Sequence, residues 1–595
     1  MKIYNIILVI FLGMLIGSCK KVLEKNPLDS LTPQQAFATE QNLQLYTNSF
    51  YQMVPSAQAI YGESGSLEGY YFQGNIISDN TGWTQTNPYL GSGFTSRNSQ
   101  GWSWSALRNI NYFLAHYHEA KTPDDRKNMY AGIARFFRAW FYYDKIKMFG
   151  DVPWYGAVIN SSDSALLYKA RDPRTLVMDS VIADLDFAIN YLSPTKDNSS
   201  SMITKWTALA LKSRICLFEG TFRKYHTELN LASSADKFLQ QSADAAQQVM
   251  NSGLYKLRNT GNSLNDYRSL FISTSPLNDE VILARLYSNN LKVWHSATGF
   301  FSDFGKYQTF LVKRFVNTYL NKDGSRFTDN PDYNTTLFTD EVKNRDNRLS
   351  QTIRTAGYKR SNGLPAPPNL GAARTGYQIL KYSLDDPIYD LNGQCYNAIP
   401  VIRYAEVLLN YAEAKAELGT FTNNDWDISI ALLRKRAGIT NTAMPTTLDT
   451  YMQDNYYPEI SSISIMEIRR ERAIELVEEG FRYDDLRRWK KGNLLEKPKD
   501  GMYVAKLNEL MDLNQDGTPD VCFYTTTPPS PQVAGVYYYK IDGTAIKISE
   551  GDKGRILWQT NIVSTYPNFK YFGPLPYNEL VINKKLVQNE GWDHP

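Results

Sequence analysis

The chain reads as a mainly α protein: a TPR-like scaffold of helical pairs carrying a large irregular, loop-rich insertion region. Three observations lead to that fold class. Apolar residues recur at three- and four-residue steps through several long stretches. Successive stretches of similar length are joined by short loops, as in helical-repeat units. Two tracts, 60–101 and 255–398, lack helical period and carry turn signals such as Asp323-Gly324 and Asn362-Gly363. The strict TPR sequence pattern is absent, so the geometry is expected and the motif is not.

Residues 1–18 read as an export signal. Lys2 gives a positive start, and an apolar run from Ile6 to Ile16 follows. That run is shorter than the roughly 20 apolar residues a spanning helix needs. It ends in Leu15-Ile16-Gly17-Ser18-Cys19, which resembles a bacterial lipobox and makes Cys19 the expected lipid anchor. Each acyl CH₂ buried in the bilayer contributes about 0.8 kcal/mol. The anchor is therefore the only membrane contact expected.

Residues 19–254 form the expected N-terminal helical region. Asp124 is placed to cap a helix from Arg126 to Phe149 that Gly150 stops. Asp172-Pro173 opens another. Thr204–Leu217 and Ala232–Met250 make a further pair, with a loop expected around Gly220. Residues 255–398 are the irregular region, and long loops on a regular scaffold are where binding residues collect. Residues 399–595 are read as a C-terminal helical region that includes helices over Ile402–Leu418 and Asp425–Ala437.

Composition narrows the function. A chain of 595 residues with 43% hydrophobic content can bury a large core. Beyond Cys19 only Cys216, Cys395 and Cys522 remain, too few for a disulfide framework. A net charge of +3 from 64 basic and 61 acidic residues argues against a nucleic-acid surface. Aromatic residues make up 13% of the chain, with 41 Tyr, 27 Phe and 11 Trp. Such rings present an apolar face with a polar edge, on which the C–H faces of sugars stack.

The carboxy-terminal third carries the most diagnostic motifs. Arg403-Tyr404-Ala405-Glu406-Val407-Leu408-Leu409 leads into Tyr411-Ala412-Glu413-Ala414, and Arg434-Lys435-Arg436-Ala437-Gly438 follows. Then come Ile468-Arg469-Arg470-Glu471-Arg472, Glu479-Gly480-Phe481-Arg482-Tyr483-Asp484-Asp485-Leu486-Arg487-Arg488-Trp489, Tyr571-Phe572-Gly573-Pro574 and Gln588-Asn589-Glu590-Gly591-Trp592. With Arg138-Ala139-Trp140-Phe141, Phe149-Gly150-Asp151-Val152-Pro153 and Asn344-Arg345-Asp346-Asn347-Arg348, this ordered set resembles the SusD/RagB family of surface nutrient-binding lipoproteins. The motifs themselves read as architecture. Glu471 and Glu475, Arg472 and Glu475, and Glu475 and Glu479 lie three or four apart, on neighbouring helical turns, where ion pairing is expected to hold the helix at tenths of a kcal/mol each when exposed.

No enzyme template is apparent. There is no His-Glu-x-x-His, no Gly-x-Ser-x-Gly and no phosphate-cradling loop, and Asp484-Asp485 is crowded by Arg482, Arg487 and Arg488. One segment does carry metal chemistry. Asp512, Asn514, Asp516, Thr518 and Asp520 alternate oxygen donors around Gly517, as in the first nine positions of an EF-hand calcium loop. Phe523 stands where the twelfth-position Glu belongs. A structural Ca²⁺ at 512–520 is therefore an expectation, with an Asx-rich turn as the alternative, and no cofactor is otherwise required.

The resemblance implies a cell-surface glycan-binding lipoprotein of the outer membrane. It would capture an oligosaccharide and deliver it to a SusC-type TonB-dependent transporter as partner. A surface glycoside hydrolase and a TPR-like scaffold or adhesin are the alternatives. The ring residues expected at the ligand site are Trp83, Tyr89 and Trp102 in the first aromatic tract, and Trp294, Phe300, Phe301 and Tyr307 in the second. Trp104 precedes a helix start and is expected in the core, and about half of the ring residues are expected to pack under their own loops.

Overall fold

The computed structural model describes residues 33–57, 73–301 and 308–592, so Cys19 and Tyr307 lie outside the described residues. The fold is mainly α. Helices α1 (Glu40–Asn48), α2 (Ser105–His116), α3 (Asp124–Phe149), α4 (Arg174–Tyr191), α5 (Lys205–Tyr225) and α6 (Ala235–Asn251) build the first half. Helix α3 packs on α4, and α5 on α6. Further along, α7 (Tyr404–Glu417) lies against α6 and against α8 (Ile463–Glu475), while α9 (Arg482–Arg488) returns to α5.

The boundaries follow local chemistry. Gly150, at φ +75°, ends α3 in a conformation that costs other residues energy. Pro123, not Asp124, is the N-cap of α3, and Asp124 and Asp125 sit in the first turn, where the helix dipole favours acids. Thr204 caps α5 through a reciprocal box with Thr207.

The loop expected at Gly220 is absent, because α5 runs unbroken through it. A Cβ at Gly220 would come within 2.8 Å of the Leu239 side chain, so this glycine serves the close approach of α6. The segment Asp425–Ala437 also differs from expectation, dividing into Asn423–Asp427 and Ile430–Arg436.

Strands β1 (Thr81–Trp83), β2 (Val281–Arg285), β3 (Thr309–Leu311), β4 (Tyr377–Gln378) and β5 (Ile399–Arg403) organise the insertion. β1, β3 and β4 form one antiparallel sheet, and β2 pairs with β5 to bring the two ends of the irregular tract together. The last hundred residues correct the expectation of a helical C-terminal region. They hold β6 (Lys499–Val504), β7 (Leu510–Met511), β8 (Val521–Tyr524), β9 (Tyr537–Lys540), β10 (Ile546–Ile548) and β11 (Gly554–Trp558), in two small sheets ordered β10-β11-β6 and β7-β8-β9. Short runs such as Tyr537-Tyr538-Tyr539 favour pleated backbone over helix.

Between α8 and the insertion lies a buried lattice of ion pairs. Arg403 donates to Glu280 at 2.9 Å, Glu475 at 2.6 Å and Glu479 at 2.7 Å. Arg348 reaches Glu475 at 2.8 Å, Glu471 at 2.6 Å and Asp346 at 2.6 Å. Arg434 joins Glu467 and Glu471, and Arg436 joins Glu475 and Glu280. All of these groups are buried. The reading of Glu471, Glu475 and Glu479 as exposed partners along one helix is thus corrected: their charges are met across elements. Arg472 likewise turns to Asp485 at 2.9 Å and Asn410.

Burial alone would raise the Glu475 carboxyl, but Arg436, Arg403 and Arg348 outweigh it and hold the group well below its ordinary value. Breaking one member of such a lattice leaves charge stranded in the interior. Arg403→Met is therefore expected to destabilise the fold by about 3–5 kcal/mol, the cost of an uncompensated buried charge, read as a drop in the denaturant midpoint. An equally buried apolar change without a lost charge, Leu408→Met, should cost less than about 1.5 kcal/mol.

Candidate functional site

The structure separates the predicted rings. Tyr89 is buried, its hydroxyl donating to the Lys570 carbonyl at 2.7 Å and its ring packed among Phe94, Tyr566 and Trp592. Trp102 is buried against Trp104 and Phe149, at centroid distances of 5.3 and 4.9 Å. Phe300 and Phe301 are buried against each other, and Phe301 stacks on Tyr382. Tyr89, Trp102, Phe300 and Phe301 are therefore core residues and offer no open ring face. Trp104 packs with Phe141, Tyr142 and Tyr155, as expected of a core ring.

Two predicted rings remain half-exposed. Trp294 follows the hairpin that bridges Ser288 and Val293, and its indole N–H donates to Asn289 Oδ1 at 3.0 Å. Trp83 ends β1 and is the more connected. Its carbonyl accepts from the Trp558 indole at 3.2 Å and from Gln559 at 3.3 Å, while Gln559 also bonds the Gln85 carbonyl.

The Trp558 side chain therefore meets the Trp83 backbone, although the two are 475 residues apart. The glycines explain how the strands come so close. A Cβ at Gly82 would fall 2.3 Å from the Phe310 ring, so only glycine lets Phe310 lie across β1, where it meets Trp558 edge-on at 6.4 Å.

Arg374 completes the arrangement. A Cβ at Gly501 would come within 2.6 Å of the Thr375 carbonyl, and that carbonyl accepts the Met502 N–H at 2.9 Å, docking this turn on β6. From the other sheet, the Tyr539 hydroxyl donates to the Arg374 carbonyl at 3.0 Å. Held by both sheets, the Arg374 guanidinium lies 5.6 Å over the Trp558 ring and donates to the Tyr537 hydroxyl at 3.2 Å. Tyr537 is 38% exposed and packs over Gly371. The result is a partly exposed platform of Trp558, Tyr537 and Arg374, tied to the end of β1 through the Trp83 carbonyl and edged by Gln559 and Gln85.

Of these residues the sequence alone points only to Trp83. Trp558, Tyr537 and Arg374 belong to short strands and turns within segments whose sequence predicts helical region or irregular loop. The alternation around Tyr537–Lys540 was the available signal.

The 512–520 loop joins β7 to β8, in the sheet that carries Tyr537. Asp512 accepts backbone N–H from Asn514, Gln515 and Gly517, Asp516 accepts from Thr518, and Asp520 accepts from Leu513. The loop is thus closed by its own carboxylates. Burial raises the Asp520 carboxyl, and the nearby Asp512 and Asp516 raise it further. Among the described residues no group of three or more His, Cys, Asp or Glu converges as metal ligands do.

Elsewhere the acidic motif is structural. Asp485 is buried between Arg472 and Arg488, both at 2.9 Å, and Asp484 holds Lys147 at 2.8 Å. A separate cleft of about 300 Å³ is lined by Asp151, Arg171, Thr175, Leu231 and Phe572, and contains none of the predicted residues. Among the described residues no helix is long and apolar enough to cross a membrane.

Comparison with known proteins agrees with this architecture. Residues 301–592 match the SusD family, and residues 21–217 match a second family described as starch-binding and associating with the outer membrane. SusD-like protein P2 of Formosa agariphila is 26% identical over 231 residues, which is 38% of this chain and 45% of that protein. The chain thus matches under half the length of this curated relative. A SusD-like protein from Bacteroides fragilis superposes with a TM-score of 0.68 at 20% identity, covering 95% of this chain and 100% of the other. A SusD-like carbohydrate binding protein from the same organism gives 0.68 at 22% identity, covering 93% and 99%. With its two halves matched by SusD models and its fold shared along nearly its whole length, the chain belongs to the SusD/RagB family.

Proposed function

We propose that this protein is a cell-surface lipoprotein that binds an oligosaccharide on the Trp83–Arg374–Tyr537–Trp558 platform and delivers it to a SusC-type TonB-dependent transporter. The platform carries the reading: ring faces beside fixed polar groups are what a sugar's apolar and hydroxyl-bearing sides require. The name of one structural neighbour, a carbohydrate binding protein, supports it. So does the description of the second matching family as starch-binding and outer-membrane-associated. The protein's part is capture and release without covalent change to the sugar.

A glycan screen of the mature chain followed by calorimetry tests the site. Trp558→Ala and Trp83→Ala should each weaken binding by about 1–3 kcal/mol, as loss of a ring anchor does, with little change in melting. Unchanged affinity in both variants, or release of new reducing ends from the glycan, would overturn the proposal.

Anchoring at Cys19 and the transporter partner extend the reading, supported by the lipobox-like segment and by the family. Cys19→Ala is expected to leave the membrane fraction, while wild type should co-purify from gently solubilised outer membrane with a large TonB-dependent barrel. Recovery of an unacylated wild-type monomer would count against both.

Calcium at 512–520 is proposed on the all-oxygen donor set and on the negative charge that Asp512 and Asp516 present to Asp520, which a divalent cation relieves. Calcium at a hundredfold excess over its dissociation constant stabilises by about 2.7 kcal/mol. Chelation should accordingly lower the melting temperature of wild type more than that of Asp516→Ala. Equal shifts would leave an Asx-rich turn without metal.

A further inference from the structure

The charge around the platform is uneven. Nearly every interior guanidinium of the ionic lattice meets carboxylates: Arg348, Arg403, Arg434 and Arg436 each contact two or more. Arg374 does not. Among the described residues no carboxylate ion-pairs with it, and its Nε is buried without a hydrogen-bond partner. Its remaining contacts are a neutral hydroxyl, that of Tyr537, and the face of Trp558.

The surroundings add positive charge. Lys499 is the cross-strand partner of Trp558 and donates to the Ser78 carbonyl at 2.8 Å. Burial first, and the neighbouring Arg314 second, push its ammonium down to about 8 against the opposing pull of Asp79 and Asp500. Arg314 and Arg555 complete the basic set. The two nearby carboxylates are already engaged, Asp79 by Arg482 at 2.6 Å and Asp500 by Arg555 at 2.8 Å and by the Arg314 backbone N–H. The exposed Asp542, in the turn that follows β9, directs its carboxylate to the backbone N–H groups of Thr544 and Ile546.

A guanidinium whose backbone is tied to two sheets, lying on an indole face and ion-paired with no carboxylate among the described residues, is arranged for an anion from outside. We propose that the platform takes an acidic oligosaccharide, one bearing a uronate carboxylate or a sulfate ester, with Arg374 reading the anion and Trp558 carrying the sugar face. This rests on the glycan-binding reading above and narrows it to a chemical class. Trp558 would then serve twice, as stacking surface for the sugar and as the support that fixes the guanidinium.

Calorimetry on the mature chain with two matched pairs tests this: tetragalacturonate against its methyl ester, and a sulfated galactan tetrasaccharide against its desulfated form. The acidic member of one pair should bind about tenfold or more tighter, the worth of a hydrogen bond to a charged group, and the pair that shows it tells carboxylate from sulfate. The preference should shrink as salt rises. Arg374→Gln should erase it, Arg374→Lys should keep part of it, and both variants should melt as wild type does.

Acidic and neutral members binding alike, with both weakened by Trp558→Ala, would remove the anion and leave the platform standing. A preference that survives Arg374→Gln would overturn the role given to Arg374. Binding of either pair that is indifferent to Trp558→Ala would instead sink the platform itself.

Discussion

The buried lattice around Glu475 is the constraint on which the rest of the molecule depends. Its cations come from the insertion and from the segments around α7, and its anions mostly from α8 and the turn after it. Each guanidinium taken from water must find its carboxylates, so these elements cannot shift independently without stranding charge. The lattice fixes where the insertion stands on the helices, and hence where β1, β3 and β4 present their ends. Apolar packing could supply equal stability, but it would tolerate small slides that multidentate Arg–carboxylate pairs do not.

Much of the scaffold was legible in the sequence because amphipathic helices announce themselves. α3, α4 and α6 lie close to where apolar spacing puts them. The failures have identifiable causes. Gly220 reads as a break only when its neighbour across the helix interface is unknown; Leu239 is that neighbour. The rows of charge in α8 look solvated because sequence spacing shows pairs within a helix and cannot show Arg403 or Arg348 arriving from elsewhere.

The site was less legible still. Tyr89, Trp102, Phe300 and Phe301 lie in aromatic stretches as Trp83 does, yet they are covered by rings from distant segments such as Tyr566, Trp592, Phe149 and Tyr382. A ring's exposure is a tertiary property. Local composition marks where aromatics are dense but not which of them are wholly covered. Trp558 and Arg374 could be recognised only after β11 and the turn before β4 were seen to meet beside β1.

The platform also has a temporal consequence. Its members are drawn from residues 83, 374, 537 and 558, and neighbouring closures are as remote: Arg482 on Asp79, and the Tyr89 hydroxyl on the Lys570 carbonyl. Contacts of such separation form late, since the loop entropy is lost before they return anything. The helical pairs of the first half can assemble as they emerge, whereas the aromatic surface has no local version of itself. A chain that ends early or misfolds near its terminus therefore lacks the surface altogether, however well its helical half has folded.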